Sequence, residues 1–559
     1  MAFFQDPPRL TSGFDDLTLR SFLRRMVPRD VEQSIAPSLA SMGDRAAGPL
    51  ADLAHQHRLD EPRHVPFDAW GNRVDHIEVN AAWKQLARVA AEDGLVGVAY
   101  ERRHGAFSRL HQFLLVHLFA PSSQTYSCPL AMTDGCARTL ELIATASLRE
   151  RVLPRLVSRD PSRAWTSGQW MTERTGGSDV GLSETIARPG EGGSFRLHGT
   201  KWFTSAVTSE VALTLARPEG GAPGGKGLAL FFLEVRWHDG RLNGLTVHRL
   251  KEKLGTRHLP TAELLLDGAV AEPVLGLTDG IRNMSSMLNI TRTWNAVCAV
   301  AGMQRGLSLA RDYARRRIAF GAPLAEKPLH LETLADLSSD YDAAFALAFY
   351  QALLLGKSET REASASEEAV LQVLTPLTKL FTGKLSVASA SEVLECFGGA
   401  GYVEDTGLPA LLRDSQVLSI WEGTTNVLSL EALRALARED AWEPLIELVR
   451  RARSVAQEPS LAALAHSAET HVVRAIAWAR EAAGTNRPLV EAGARRFALG
   501  LARSIAQALL VEQAEWSLHH EHDRRALYAA RRFGTARDEL PLSYQPQSTR
   551  AYALGEPLV

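Results

Sequence analysis

Cysteine is scarce: the 559-residue chain has four, Cys128, Cys136, Cys298 and Cys396. They form no CxxC pair and no histidine-rich ligand spacing accompanies them. A structural zinc site and a disulfide framework are therefore not expected, and a reducing compartment fits. Charge of one sign is also missing. Lys plus Arg number 62 against 64 Asp plus Glu, a formal net charge of -2, so nothing global points to nucleic acid or to a membrane surface. No apolar run reaches about 18 residues, and no membrane span is expected. The opening Met1-Ala2-Phe3-Phe4-Gln5-Asp6 lacks a basic stretch followed by an apolar one, and Asp15 and Asp16 argue against a transit peptide. The expectation is a cytoplasmic protein with no metal.

What is present is 45% hydrophobic residues over a length too great for one ordinary core, so three or four domains are expected. Residues 1–165 are mostly helical in pattern. Leu86, Val89 and Ala90 share one face, as do Leu140, Ile143, Ala144 and Leu148. The first 75 residues, rich in Pro, Asp and His, suggest an irregular packed lead-in. Over 166–275 the pattern changes to strands: Phe195–His198, Trp202–Thr204, Val211–Leu215, Leu228–Leu233 and Ala262–Gly268. Long helical patterns return over 276–440 at Ala299–Arg317, Leu329–Leu355 and Glu367–Phe397, lengths that suit a four-helix bundle. Residues 441–559 hold further amphipathic helices and a Pro-containing tail from about Leu540.

Four segments carry chemistry. Trp421-Glu422-Gly423-Thr424-Thr425-Asn426 sets a carboxylate between an aromatic ring and a small polar turn. Met171-Thr172-Glu173-Arg174-Thr175-Gly176-Gly177-Ser178-Asp179-Val180 combines hydroxyls with a Gly-Gly bend. Arg317-Ile318-Ala319-Phe320-Gly321 and Phe397-Gly398-Gly399-Ala400-Gly401-Tyr402 complete the set. In this order and spacing they resemble the acyl-CoA dehydrogenase flavoprotein family, in its AidB-like branch. The resemblance implies a mainly α fold with a central small β domain: an N-terminal helical domain, a β-barrel domain, a four-helix bundle and an additional C-terminal helical domain.

It also implies FAD as cofactor and α,β-dehydrogenation of an acyl-CoA or related thioester. A weakly acidic α-proton needs a well-placed base, and Glu422 beside Trp421 matches the family's base position. Burial against the ring would raise its pKa. Thr291 and Arg292 match a pair near the base and the CoA chain; a first-turn Arg on a solvated face is the plainer alternative for Arg292. Arg434 is either a partner of the base or a bundle salt bridge. Met171, Thr172 and Ser178 match the first flavin motif. Trp202 and Thr204 match the second, and strand alternation would put both on one face. Arg317, Phe320, Phe397, Gly398 and Gly399 match adenosine-side contacts that a neighbouring subunit supplies, which implies a dimer or tetramer. Thr424 and Asn426 would complete the cofactor contacts, and Glu395 stands where Gln is common. Thr133 either lines the substrate pocket or belongs to a plain helix start with buried Cys128 and Met132. The electron acceptor is an electron-transfer flavoprotein or oxygen.

Two other functions compete. AidB-like proteins are associated with protection of DNA from alkylation, and Arg524, Arg525, Arg531 and Arg532 fall at positions that one helical face could carry, after His519, His520 and His522. The near-neutral charge of residues 441–559 predicts weak, salt-sensitive DNA binding. A non-catalytic acyl-CoA binding protein is the third class, and a retained base counts against it.

Overall fold

The computed structural model describes residues 6–436, 441–535 and 545–558. The first residues of the opening segment, the 440/441 domain boundary and the start of the tail at Leu540 lie outside the described residues. The chain forms two compact units, one of Met1–Ala51, Arg102–Pro121 and Asn295–Val559, the other of Asp52–Glu101 and Ser122–Trp294. A single helix, Ser285–Arg316, contributes residues 285–294 to the second unit and 295–316 to the first.

The second unit is built on strands β1 (Arg63–Phe67), β2 (Arg73–Glu78), β3 (Ser167–Trp170), β4 (Ile186–Pro189), β5 (Phe195–Ser205), β6 (Val211–Pro218), β7 (Ala229–Glu234), β8 (Leu245–Leu250) and β9 (Thr261–Pro273). Strands β1 and β2 form a separate hairpin. In the large sheet the pairing runs β6–β4–β5–β9–β7 and returns to β6, with β3 on β6 and β8 on β9. Closure leaves few open strand edges, the usual reason for a barrel. Strand β6 is buried on both faces, which is why Val211–Ala216 is apolar without alternation. Ala212 and Ala216 join the barrel core with Trp170, Leu197, Phe231 and Leu264. Val211, Leu213 and Leu215 pack instead with Cys136 and Leu140 of helix Ser127–Ile143 and with Leu148 and Val152 of helix Ala146–Leu156.

The first unit is helical. Its long elements include Pro328–Thr360 and Ala365–Cys396, the latter started by a capping box of Ser364 and Glu367. A fourth helical stretch is broken into Pro409–Leu418 and Thr425–Leu436. The break contains Glu422 at φ 56° and Gly423 at φ 106°, values a right-handed helix cannot continue through. Five further helices follow in the described C-terminal region: Trp442–Val455, Pro459–Thr485, Arg487–His520, Arg525–Gly534 and Pro546–Leu554.

The lead-in is more regular than its composition suggests. Helices Leu17–Met26, Arg29–Ala47 and Pro49–Gln56 precede the β1–β2 hairpin. Two prolines in it favour helix starts: Pro28 caps the second helix and Pro49 opens the third, where a missing N–H costs nothing. Ile35, Leu39, Met42 and Ala46 then form the buried stripe of Arg29–Ala47.

His117, in helix Phe107–Phe119, is 2% exposed among Tyr341, Phe345 and Phe349, with ring centroids 5.5 to 6.5 Å away. Burial pushes its imidazole from 6.5 down to about 3. The unfolded chain takes up a proton below 6.5 that the native state refuses, so this contribution to stability is intact above 6.5 and is lost as pH falls toward about 3. Denaturation of His117→Phe against the parent at several pH values should show the parent's acid-side loss reduced by about 1.4 kcal/mol per pH unit within that window. Parallel slopes for the two proteins would exclude His117 as a source of acid sensitivity.

Candidate active site

In the second unit, β3 runs directly into the first flavin-motif segment. Met171 is 5% exposed and packs with the helices behind β6. Thr172 is half-buried, and its carbonyl accepts the Trp202 N–H at 2.9 Å, which joins the first flavin segment to the second. One residue further on, Glu173 accepts from Lys201 Nζ at 2.7 Å, Thr185 Oγ1 at 2.6 Å and Glu184 N–H at 2.6 Å. Lys201 Nζ also donates to Leu215 O at 2.7 Å. Glu173 and Lys201 are 2% and 0% exposed. Burial raises the Glu173 carboxyl, but the Lys201 ammonium and the donors outweigh it and hold it below the ordinary range. Burial lowers Lys201, with Glu173 opposing. Both stay charged because each is the other's partner. Ser178 is exposed, farther along the segment.

The expected alternation of Trp202 and Thr204 is corrected. Phe203 adopts φ 54°, and the register with β9 slips from Lys201↔Leu264 to Thr204↔Ala262. This bulge inserts one residue, so Lys201 and Thr204 are the buried positions while Trp202 is half-buried and Phe203 exposed. The Lys251 ammonium lies 3.4 Å from the Trp202 ring centroid and 2.6 Å from Glu263. Thr204 is 1% exposed, and its Oγ1 has no hydrogen-bond partner among the described residues.

Thr133, 1% exposed on helix Ser127–Ile143, donates to Pro129 O at 2.7 Å and accepts from Ser167 N–H at 2.9 Å, which ties the helix to β3. It lines a cavity of about 310 Å³ with Trp83, Tyr126, Leu130, Trp165 and Glu210. Glu210 is open to this space; burial pushes its carboxyl up, against the pull of the Thr166 N–H and hydroxyl. Thr291 and Arg292 are 3% and 6% exposed, so Arg292 is no solvated first-turn arginine. Buried Asp134, on the Thr133 helix, accepts from Trp294 Nε1 at 2.7 Å and Tyr100 OH at 2.8 Å.

In the first unit, Trp421, Glu422 and Gly423 are half-buried in the loop between Pro409–Leu418 and Thr425–Leu436. Trp421 Nε1 donates to Asn295 Oδ1. Thr424 is exposed, and its carbonyl accepts from Leu428 N–H at 2.9 Å as the next helix begins. Exposed Asn426 accepts from Arg495 at 3.3 Å. Arg434 and Glu395 are exposed. The Arg317–Gly321 and Phe397–Tyr402 segments meet through Tyr313, whose ring lies 5.0 Å from that of Phe397. Phe397 is 3% exposed and packs inward, Arg317 is half-buried, and Phe320 stands 96% exposed at φ 51°. A Cβ at Gly398 or Gly399 would meet nothing within 4 Å.

The four C-terminal arginines do not make one open basic face. Arg525 is 5% exposed and paired with Asp342 at 3.5 Å. Arg531 pairs with Glu458 at 2.8 Å, and Arg532 with Asp336 at 2.7 Å and with Glu332. Arg524 alone of the four is exposed. Helical spacing put these charges near one another but could not reveal the carboxylates of other helices that neutralise them.

Comparison with known proteins agrees with this architecture. Four family models match: the adaptive response protein AidB N-terminal domain over residues 8–161, the acyl-CoA dehydrogenase middle domain over 168–269, the acyl-CoA dehydrogenase C-terminal domain over 278–437, and the acyl-CoA dehydrogenase 11 C-terminal domain-like model over 446–553. Acyl-CoA dehydrogenase family member 11 of Caenorhabditis elegans is 43% identical over 543 residues, covering 94% of this chain and 88% of that protein. AidB of Escherichia coli is 33% identical over 414 residues, 72% of this chain and 74% of its own length. The crystal structure of the worm protein in complex with C11-CoA superimposes with a TM-score of 0.92 at 41% identity, covering 95% of this chain and 92% of that one. The chain belongs to the acyl-CoA dehydrogenase family. It is an acyl-CoA dehydrogenase, and its cofactor is FAD.

The residues present fit that cofactor. A buried hydroxyl without a protein partner, Thr204 Oγ1, is what a ligand-facing donor leaves behind, since buried polar groups are otherwise satisfied. The segment that carries Thr204 and the segment after β3 are locked together by Glu173 and Lys201. Sequence reasoning quoted Glu173 inside the first motif without giving it a role, and did not name Lys201, which stands directly before Trp202. The signal available was a Lys in the middle of a barrel strand, where burial demands a partner.

Lys201→Met should leave Glu173 buried and unpaired, costing about 3–5 kcal/mol. Purified Lys201→Met is expected to carry less FAD per chain and to unfold earlier, while the double variant with Glu173→Leu recovers part of the stability. Full FAD content and unchanged unfolding in the single variant would contradict this role.

Proposed function

We propose that this enzyme removes the α-proton of an acyl-CoA, or a related acyl thioester, with Glu422 and yields the 2,3-enoyl product. The observation that carries the proposal is the setting of Glu422: a half-buried carboxylate in a left-handed turn, beside an indole fixed by Asn295. A base on a rigid turn meets the geometric demand of proton abstraction better than one on a mobile side of a helix. FAD, when bound, supplies the hydride acceptor for the β-carbon. Thr204 offers a hydroxyl and Trp202 a ring face to the isoalloxazine, while backbone groups of Met171 and Thr172 serve its edge. Ser178, Thr424 and Asn426 serve the rest of the cofactor, with Arg317, Phe320, Gly398 and Gly399 on its adenosine side and Phe397 as the packing anchor of that turn. Thr291 and buried Arg292 position the thioester end, and Trp421 shields it.

The cavity beside Thr133 is the acyl-chain site in this proposal. A relative crystallised with C11-CoA supports a chain of intermediate length. Exposed Ile318, Phe320, Leu329 and Tyr402 in the first unit support association into a dimer or tetramer, since such apolar surface is costly in water. Electrons leave to an electron-transfer flavoprotein or to oxygen. We place the enzyme in the cytoplasm, which its four free cysteines support. DNA contact is not favoured, given the internal pairing of Arg525, Arg531 and Arg532. No described helix is long and apolar enough to cross a membrane.

Anaerobic titration with acyl-CoAs of increasing length should bleach the flavin absorbance for one length class. Glu422→Gln should retain FAD and bind the same acyl-CoA while losing bleaching by several orders of magnitude. A variant that bleaches at the parent rate would overturn the base assignment. Bound flavin that no acyl-CoA reduces would turn weight to a purely binding role.

A further inference from the structure

The loop that carries Glu422 is held from outside itself. Residues 419–424 link two short helices through successive positive-φ residues, Glu422 at 56° and Gly423 at 106°. Such a conformation persists only where the surroundings over-determine it.

Two helices supply that restraint. Lys379, 0% exposed in helix Ala365–Cys396, donates Nζ–H to Gly423 O at 2.7 Å, the carbonyl of the residue after Glu422. One turn later on the same helical face, Gly383 admits the other end of the loop: a Cβ there would sit 2.7 Å from Leu418 O and 3.4 Å from Ser419 N. Asn295, 4% exposed in helix Ser285–Arg316, donates Nδ2–H to Leu418 O at 3.1 Å and accepts the Trp421 indole N–H. The loop is thus fixed at its start, at the residue before Glu422 and at the residue after it. A neutral side chain could satisfy a carbonyl at lower desolvation cost than an ammonium.

We propose that Lys379 is a positioning residue for the base: it holds the Gly423 carbonyl, and with Gly383 as its steric counterpart keeps Glu422 aimed at the α-carbon. This rests on Glu422 being the base. The test uses FAD-loaded Lys379→Met and Gly383→Ala, with Glu422→Gln in parallel, and reads three quantities: FAD content, acyl-CoA dissociation constant, and the single-turnover rate of flavin reduction. Lys379→Met keeps the stem volume and removes the donor; Gly383→Ala displaces the loop from its other end and decides the matter if the first variant does not fold. The expected result is a rate about 100-fold lower in each, the cost of a small misplacement of a catalytic group, with FAD content and acyl-CoA affinity within about twofold of the parent. Restoration of the Lys379→Ala rate by added methylammonium would add support. If Glu422→Gln is inactive while Lys379→Met and Gly383→Ala reduce flavin at the parent rate, the positioning role is wrong and the base assignment stands. If rate, affinity and FAD content fall together, Lys379 is a structural residue and the proposal fails. If Glu422→Gln keeps the parent rate, the base assignment fails, and the proposal with it.

Discussion

A charge pair sealed from water inside the barrel is the constraint on which the β3–β5 region of this molecule depends. Glu173 and Lys201 sit at 2% and 0% exposure, where neither could remain charged alone. Their attraction ties the turn after β3 to the middle of β5, and the Trp202–Thr172 backbone bond lies beside it. The bulge at Phe203 comes two residues after Lys201, and it is the bulge that turns Thr204 inward with a hydroxyl still available. A barrel that closes on itself gives this pair a rigid frame, since β6 and β7 are packed on both faces.

The loop that carries Trp421, Glu422 and Gly423 uses a different device. A helical stretch is interrupted, and the interruption is clamped by side chains of other helices. Glu422 needs little of its own to be placed, because Asn295, Lys379 and Gly383 define the loop around it. The two regions share a principle: buried polar contacts outside a strained or bulged segment hold it in place.

Local patterns were the readable part of the chain. The apolar run at Val211–Leu215 lies in β6 and that at Leu228–Leu233 matches β7 to within a residue, and the long periodic stretches lie in helices Ser285–Arg316, Pro328–Thr360 and Ala365–Cys396 apart from ends one residue past the first and third. Short strands such as β4 and β8 were invisible, because four to six mixed residues carry no period strong enough to distinguish them from loop. The N-terminal helices were obscured by prolines that a composition argument counts as breakers and a capping argument counts as starters. The candidate site residues were drawn from contiguous motifs, which a sequence displays whole. Lys379 and Asn295 were not, since each reaches Trp421-Glu422-Gly423 across 44 or 126 residues of chain. The arginines 524, 525, 531 and 532 show the opposite failure: their spacing was right and their partners were unseen, so an apparent basic face became a set of internal ion pairs.

The central claim is chemical: this enzyme takes hydrogen from both the α- and β-carbons of an acyl thioester. The most direct test is mass spectrometry of the acyl-CoA after anaerobic incubation with a stoichiometric amount of FAD-loaded protein, with no external electron acceptor. The account predicts a product lighter by two hydrogens, carrying a double bond next to the thioester carbonyl, in an amount equal to the flavin reduced. Acyl-CoA recovered unchanged from a tight complex, for every chain length that binds, would contradict it.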